Sequence, residues 1–193
     1  TPDAERLDPE EADLPKIPVQ PLGWSVAAEI LQRMEGEEVP DGWQGGLPFR
    51  YRLEGGESLR VRLMVEQKRG ITRTANVVGT LKGKSKPDEW VLVGCHHDAW
   101  CHGAGDPNAG LMLVLESARV LGAEAKAGRV PERTVKFCAW GAEEYGIIGS
   151  TEWVELHAEE LAEQGIAYLN LDMATMGPRF WASAAPSLKP LMT

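Results

Sequence analysis

Between residues 90 and 172 three short apolar runs, "WVLVGC", "RTVKFCAW" and "IAYLNLD", alternate with two segments of helical periodicity. No other feature of the chain constrains its fold as strongly. Uninterrupted apolar runs of this length are what strands buried on both faces look like. Between the first two, Leu111, Val114, Leu115, Ala118 and Leu121 follow Asn108 at a spacing near 3.6 and mark a core-facing helix. Between the second and third, "STEWVELHAEELAEQ" predicts a helix capped by Ser150 and running to about residue 163. Strand, helix, strand, helix, strand predicts an α/β fold, with a mixed, largely parallel central sheet flanked by helices.

Upstream of that unit the signals are weaker. Trp24, Ala27, Ala28, Leu31 and Met34 predict an amphipathic helix over 24–35, with Ser25 near its start and Gly36 closing it. "VPDGWQGGLP" is a loop by its glycines and prolines. "SLRVRLMVEQKRGITRTANVVGTLKG" alternates, breaks at Gly70, and predicts two antiparallel strands near 58–66 and 73–81. Residues 1–21 are acidic and proline-rich and read as a linker or extended segment, leaving 22–193 as the core domain. A chain that starts on a linker is expected to be part of a longer protein.

Composition narrows the partners. Twenty basic residues stand against 29 acidic ones, a net charge of −9, with no basic stripe, so nucleic acid is not an expected partner. No apolar run approaches the roughly 18 residues of a membrane span. The N-terminus lacks a charged-then-apolar signal pattern. Cys95, Cys101 and Cys138 form no C-x-x-C pair and no disulfide framework; Cys95 and Cys138 belong to the strand runs and Cys101 to a loop.

Each of the three apolar runs ends in candidate metal ligands. The first leads into His96-His97-Asp98 and then Asp106, the second into Glu143-Glu144, and the third ends on Asp172. One acidic residue at a strand end is commonplace. Three consecutive strands ending this way, in a fold that gathers ligands beyond the carboxyl ends of its strands, is a metal-site composition. Imidazole with carboxylates favours zinc, with manganese or cobalt as substitutes. Within the Glu143-Glu144 pair one carboxylate can bind metal while its neighbour takes a proton from water. Asp106 has two oxygens to share between two ions, and Asp98 is placed to orient His96 through its other ring nitrogen.

The segments "GCHHDAWCHGAGDPNAG", "WGAEEYGIIGSTEW" and "YLNLDMATMGPRFWASAAPSL" resemble the co-catalytic zinc exopeptidases related to glutamate carboxypeptidase II and the transferrin receptor, whose core bacterial zinc aminopeptidases share. The resemblance covers roughly residues 17 to 193. It implies that His96, Asp106 and Asp172 bind a first zinc and that Asp106 bridges to a second held by Glu144. It also implies that Asp98 backs His96 and that Glu143 is the general base. The implied reaction is hydrolysis of a peptide or small acyl-amino-acid substrate. The implied parent is homodimeric and secreted, periplasmic or membrane-anchored.

Two departures stand out. The family's remaining imidazole ligand lies downstream of the position matching Asp172, so the second site lacks it here, and His102 and His157 are poor stand-ins. Where glutamate-selective members carry an arginine, this chain has Ala182. The alternatives are a non-catalytic module like the receptor branch, which has lost its zinc ligands, and a zinc glutaminyl cyclase, which shares a related core. His97 is expected to point away from the metal, because adjacent residues at a strand end face opposite sides.

Overall fold

The chain divides into two units, Glu5–Ile71 and Thr72–Thr193; the computed structural model describes residues 8, 11, 15, 17–68, 70, 72–175 and 177–192. The expected extended segment 1–21 lies mostly outside the described residues. Positions 17–21 within it are exposed and carry no helix or strand.

In Glu5–Ile71, helix α1 (Trp24–Leu31) is shorter than its apolar spacing predicts. Ser25 lies inside it, and Gly23 holds the N-cap position without a side-chain bond. The helix stops because Glu35–Glu38 (β1) is taken up by antiparallel pairing with Arg52–Glu54 (β2), Glu35 opposite Glu54. In the loop between them the Gln44 amide donates to Phe49 O at 2.9 Å and accepts from Tyr51 N at 3.1 Å. The strand predicted near 58–66 does not form, and Val61 and Met64 are exposed. Alternation prepares a segment for a sheet, but a strand also needs a partner backbone, and none pairs with this one among the described residues.

Thr72–Thr193 contains the predicted alternation. Val77–Leu81 (β3), Lys86–His96 (β4), Arg133–Trp140 (β5) and Gly165–Asn170 (β6) form one sheet in the order β3-β5-β4-β6. β4 runs parallel to both β5 and β6, and β3 runs antiparallel to β5. The sheet is mixed and largely parallel. Helix α2 (Asn108–Lys126) joins β4 to β5; α3 (Ile148–Leu156) and α4 (Ala158–Gln164) join β5 to β6.

Alternating side chains divide the core between the two faces of the sheet. Cys95, Val135 and Phe137 pack with Val114 and Leu121 of α2, whereas Leu92, Cys138 and Trp140 pack with Trp153 and Leu161 of α3 and α4. Burying each large side chain stabilises the fold by about 1.5–3 kcal/mol. Two helices replace the single one predicted after Ser150. The break falls at His157, whose ring lies tilted against Trp153 at 4.5 Å and hydrogen-bonds Glu160. Ser150 is not the cap: Ile147 holds that position in a left-handed conformation, and the Ser150 hydroxyl donates to its carbonyl. β6 is mostly exposed rather than doubly buried, because it is the sheet's edge among the described strands. No helix among the described residues is long and apolar enough to cross a membrane.

Candidate metal centre

Parallel register brings the strand ends level. His96 lies opposite Trp140 and Gly94 opposite Asn170, so the residues that follow β4, β5 and β6 emerge at one edge of the sheet. His96 is almost fully buried there. Its Nε2 lies 2.8 Å from Asp106 Oδ1, 3.3 Å from Asp172 Oδ1 and 3.9 Å from Glu143 Oε2.

Asp106 reaches this point through a cis bond to Pro107, which is fully buried just before α2. Asp172 is carried by the backbone after β6, against which the first turn of α2 closes. A Cβ on Gly110 would collide with the Leu171 carbonyl, so only glycine lets the helix approach. Donor atoms of His96, Asp106 and Asp172 lie within 4.8 Å of one another, and so do those of His96, Glu143 and Glu144. His96 is common to both groups.

Asp172 Oδ1 and His96 Nδ1 are buried without a hydrogen-bond partner. An unpartnered buried carboxylate oxygen is costly unless a cation lies against it. One imidazole nitrogen among several carboxylate oxygens is a donor set for a divalent ion of the zinc type. The residues therefore fit a metal.

The carboxylates around His96 set its protonation. Burial acts to lower the imidazole pKa, but Asp172, Glu143 and Asp106 outweigh it and hold it above its ordinary value. Glu143 is also raised, chiefly by burial; His96 pulls the other way, while Asp172, Glu144 and Asp106 add to the rise. A carboxylate raised in this way is better matched to exchanging protons near neutrality.

Asp98 lies 3.6 Å from His96 Nδ1, beyond hydrogen-bond length. Its hydrogen bonds go to the neighbouring turn: Oδ1 accepts the Glu143 N–H at 3.0 Å and Oδ2 the Glu144 N–H at 3.2 Å. Burial acts to raise the Asp98 pKa, and those two N–H groups, with Asp98's own N–H and His96, more than reverse it. Around the same carboxylates the backbone is strained. Ala142, just before Glu143, and Met173, just after Asp172, have φ of 55° and 42°. Non-glycine residues held there cost about 1–3 kcal/mol each and concentrate at functional sites.

The other histidines stay outside both clusters. The His97 ring turns away and contacts the Ala75 carbonyl at 2.8 Å. His102 sits in the loop before α2, where its carbonyl accepts from Asn108. His157 is occupied by Trp153 and Glu160. Cys95 and Cys138 are buried core thiols, and Cys101 is an exposed loop residue.

Two features of the site have no signature in the sequence. Trp100 and Tyr145 pair their exposed rings at 5.6 Å beside Glu144, whose Oε1 accepts the Trp100 N–H at 3.4 Å. Asn76, at the mouth of β3, hydrogen-bonds at both ends of the turn that carries Glu143 and Glu144. Its partners lie 65 and 73 residues away, and no local spacing marks such a contact.

The chain is similar in sequence to known proteins over most of its length. Residues 76–186, more than half of the chain, match the model of peptidase family M28. The "Probable glutamate carboxypeptidase VP8" of Zea mays is 38% identical over 92% of this chain and 25% of its own length. The aminopeptidase NAALADL1 of Rattus norvegicus is 38% identical over 88% of this chain and 24% of its own. Among solved structures, a peptidase M28 precursor from Shewanella amazonensis is 36% identical over 52% of this chain and 23% of its own, with a TM-score of 0.47. The chain thus spans about a quarter of the length of the curated relatives it matches. Its sequence nonetheless matches theirs across nearly all of its own length, and with the match over 76–186 this places the chain in peptidase family M28.

Proposed function

We propose that this chain carries the catalytic core of a zinc-dependent exopeptidase. The observation that supports this most directly is the convergence of Asp106, Asp172 and Glu143 on the buried Nε2 of His96. In this reading His96, Asp106 and Asp172 hold one zinc, while Asp106 and Glu144 contribute to a second site. Zinc, when bound, supplies a Lewis acid that polarises the scissile carbonyl and acidifies the attacking water.

The protein's own groups do the rest. Glu143 takes the proton from the attacking water and delivers it to the leaving amine. Its raised pKa suits both transfers. Asp98 holds the Glu143 and Glu144 backbone in place beside His96. The substrate is a peptide or a small acyl-amino acid. Ala182 in place of an arginine argues against selectivity for a terminal glutamate.

The test combines a zinc titration with Glu143→Gln. The wild-type chain is expected to take up zinc, and Glu143→Gln to retain it. Peptide hydrolysis by the zinc-loaded protein should fall by about 10²–10⁴-fold in the variant, the usual contribution of a general base. Absence of zinc uptake by the wild type overturns the metallopeptidase reading, and undiminished hydrolysis removes Glu143 from the role of base.

A further inference from the structure

The turn from Gly141 to Gly149 carries both Glu143 and Glu144, yet little regular structure supports it. β5 ends at Trp140 and α3 begins at Ile148. Two residues within the turn, Ala142 and Ile147, are left-handed without being glycine. Some of its backbone groups bond internally, as where the Gly146 and Ile147 N–H groups share the Glu143 carbonyl. The polar groups at its two ends are met by a single side chain from the residue just before β3. Asn76 Oδ1 accepts the Gly141 N–H at 3.0 Å, and Asn76 Nδ2 donates to the Gly149 carbonyl at 2.7 Å.

The packing around this amide is close. A Cβ on Gly149 would run into the Gly141 carbonyl and Asn76 Oδ1, and one on Gly141 would run into Thr74 Oγ1 and the Ala75 carbonyl. Three segments thus meet closely, and the Asn76 amide joins the two ends of the turn. The adjacent Ala75 carbonyl is tied to the His97 ring, which couples the same segment to the end of β4.

We propose that Asn76 is a positioning residue for the Glu143–Glu144 turn: its amide closes the turn and so holds both carboxylates at the His96 cluster. Asp98 acts at the centre of the turn and Asn76 at its two ends. No part of Asn76 joins the cluster, so its effect passes through the carboxylates. The inference rests on the proposed role of Glu144 as a ligand, and the experiment separates the two.

Zinc affinity of the chain is measured by competition with a chromophoric chelator for the wild type, Asn76→Ala, Glu144→Ala and the double variant, with thermal unfolding of the metal-free forms in parallel. Asn76→Ala is expected to weaken zinc about tenfold or more, within the roughly 10–100-fold range for outer partners of metal ligands. The double variant should bind no more weakly than Glu144→Ala, because Asn76 acts through the residue already removed. Additive losses, or an Asn76→Ala affinity equal to wild type, overturn the proposal. Unchanged binding in Glu144→Ala overturns instead the ligand role of Glu144, and the inference falls with it. Asn76→Asp keeps the acceptor for Gly141 and loses the donor to Gly149, and should bind zinc with intermediate affinity. Should neither substitution at Asn76 yield a folded chain, Asn76 is structural and the proposal is refuted.

Discussion

His96 ends a strand, and Asp106 and Asp172 lie within two residues of α2 and β6, whereas Glu143 and Glu144 stand on a turn further from regular structure. The first three come from the end of β4, the buried cis-proline step into α2, and the backbone after β6 that α2 packs against. Their positions follow from sheet register and helix packing. The two glutamates are placed by Asp98 and Asn76, side chains that hydrogen-bond the turn's backbone from elsewhere in the fold. A site of this kind has one half that shifts only if the sheet or α2 shifts, and another adjustable by single side-chain changes. Glu143, the proposed general base, lies in the adjustable half.

His96→Ala tests the comparison most severely, because this imidazole belongs to both halves. Zinc affinity is expected to fall in both, by more than the roughly 10–100-fold that loss of an outer partner costs. Competition titration measures it. A variant that still binds zinc like the wild type would mean that His96 organises neither half.

Gly110→Ala attacks the strand-end half alone. The added methyl meets the Leu171 carbonyl, so α2 must move away from Asp172. Overpacking of this kind costs about 1–3 kcal/mol, read as a lower unfolding midpoint in denaturant. Amide exchange should rise around residues 171–172 and stay unchanged in the 141–149 turn. An equal response in both regions would erase the distinction between the halves.

The smallest expected effect concerns the core beneath the site. Burial pushes the Cys138 thiol up to about 12, with Lys136 pulling weakly the other way. The fold therefore favours the neutral thiol. That contribution is complete below the unfolded value near 9 and is lost as pH rises through about 12. Cys138→Ala should flatten the alkaline limb of the stability profile. At neutral pH a thiol reagent should label only Cys101 in the folded chain, since Cys95 and Cys138 are buried. Rapid labelling of Cys138 would show that the sheet opens beneath both halves.

Much of the architecture was legible because it is written in local pattern. "RTVKFCAW" became β5 at its full length, and the apolar spacing after Asn108 became α2. The gathering of His96, Asp106, Glu143, Glu144 and Asp172 at one edge followed from a general property of parallel sheets, that strand ends share an edge. Where the reading failed, the deciding partner was distant in sequence. Residues 58–66 alternate like a strand but find no partner among the described residues, and Glu35, the last residue of the expected helix, joins β1 because Arg52–Glu54 lies alongside it. Asp98 lies 3.6 Å from His96 Nδ1, and the hydrogen bonds it accepts from backbone N–H groups 45 and 46 residues away have no local signature.

By itself, then, the sequence determined which segments are strands and helices of the Thr72–Thr193 sheet, which residue types stand at the strand ends, and the family whose motifs they match. Those properties depend on side-chain chemistry and on periodicities of a few residues. Only the tertiary structure decided that Asp98 and Asn76 hold the glutamate turn, that Gly110 lets α2 reach Asp172, and that His96 is common to both clusters. Each of these is a contact between backbones or polar groups brought together from separate strands, and its geometry exists only once the sheet has formed.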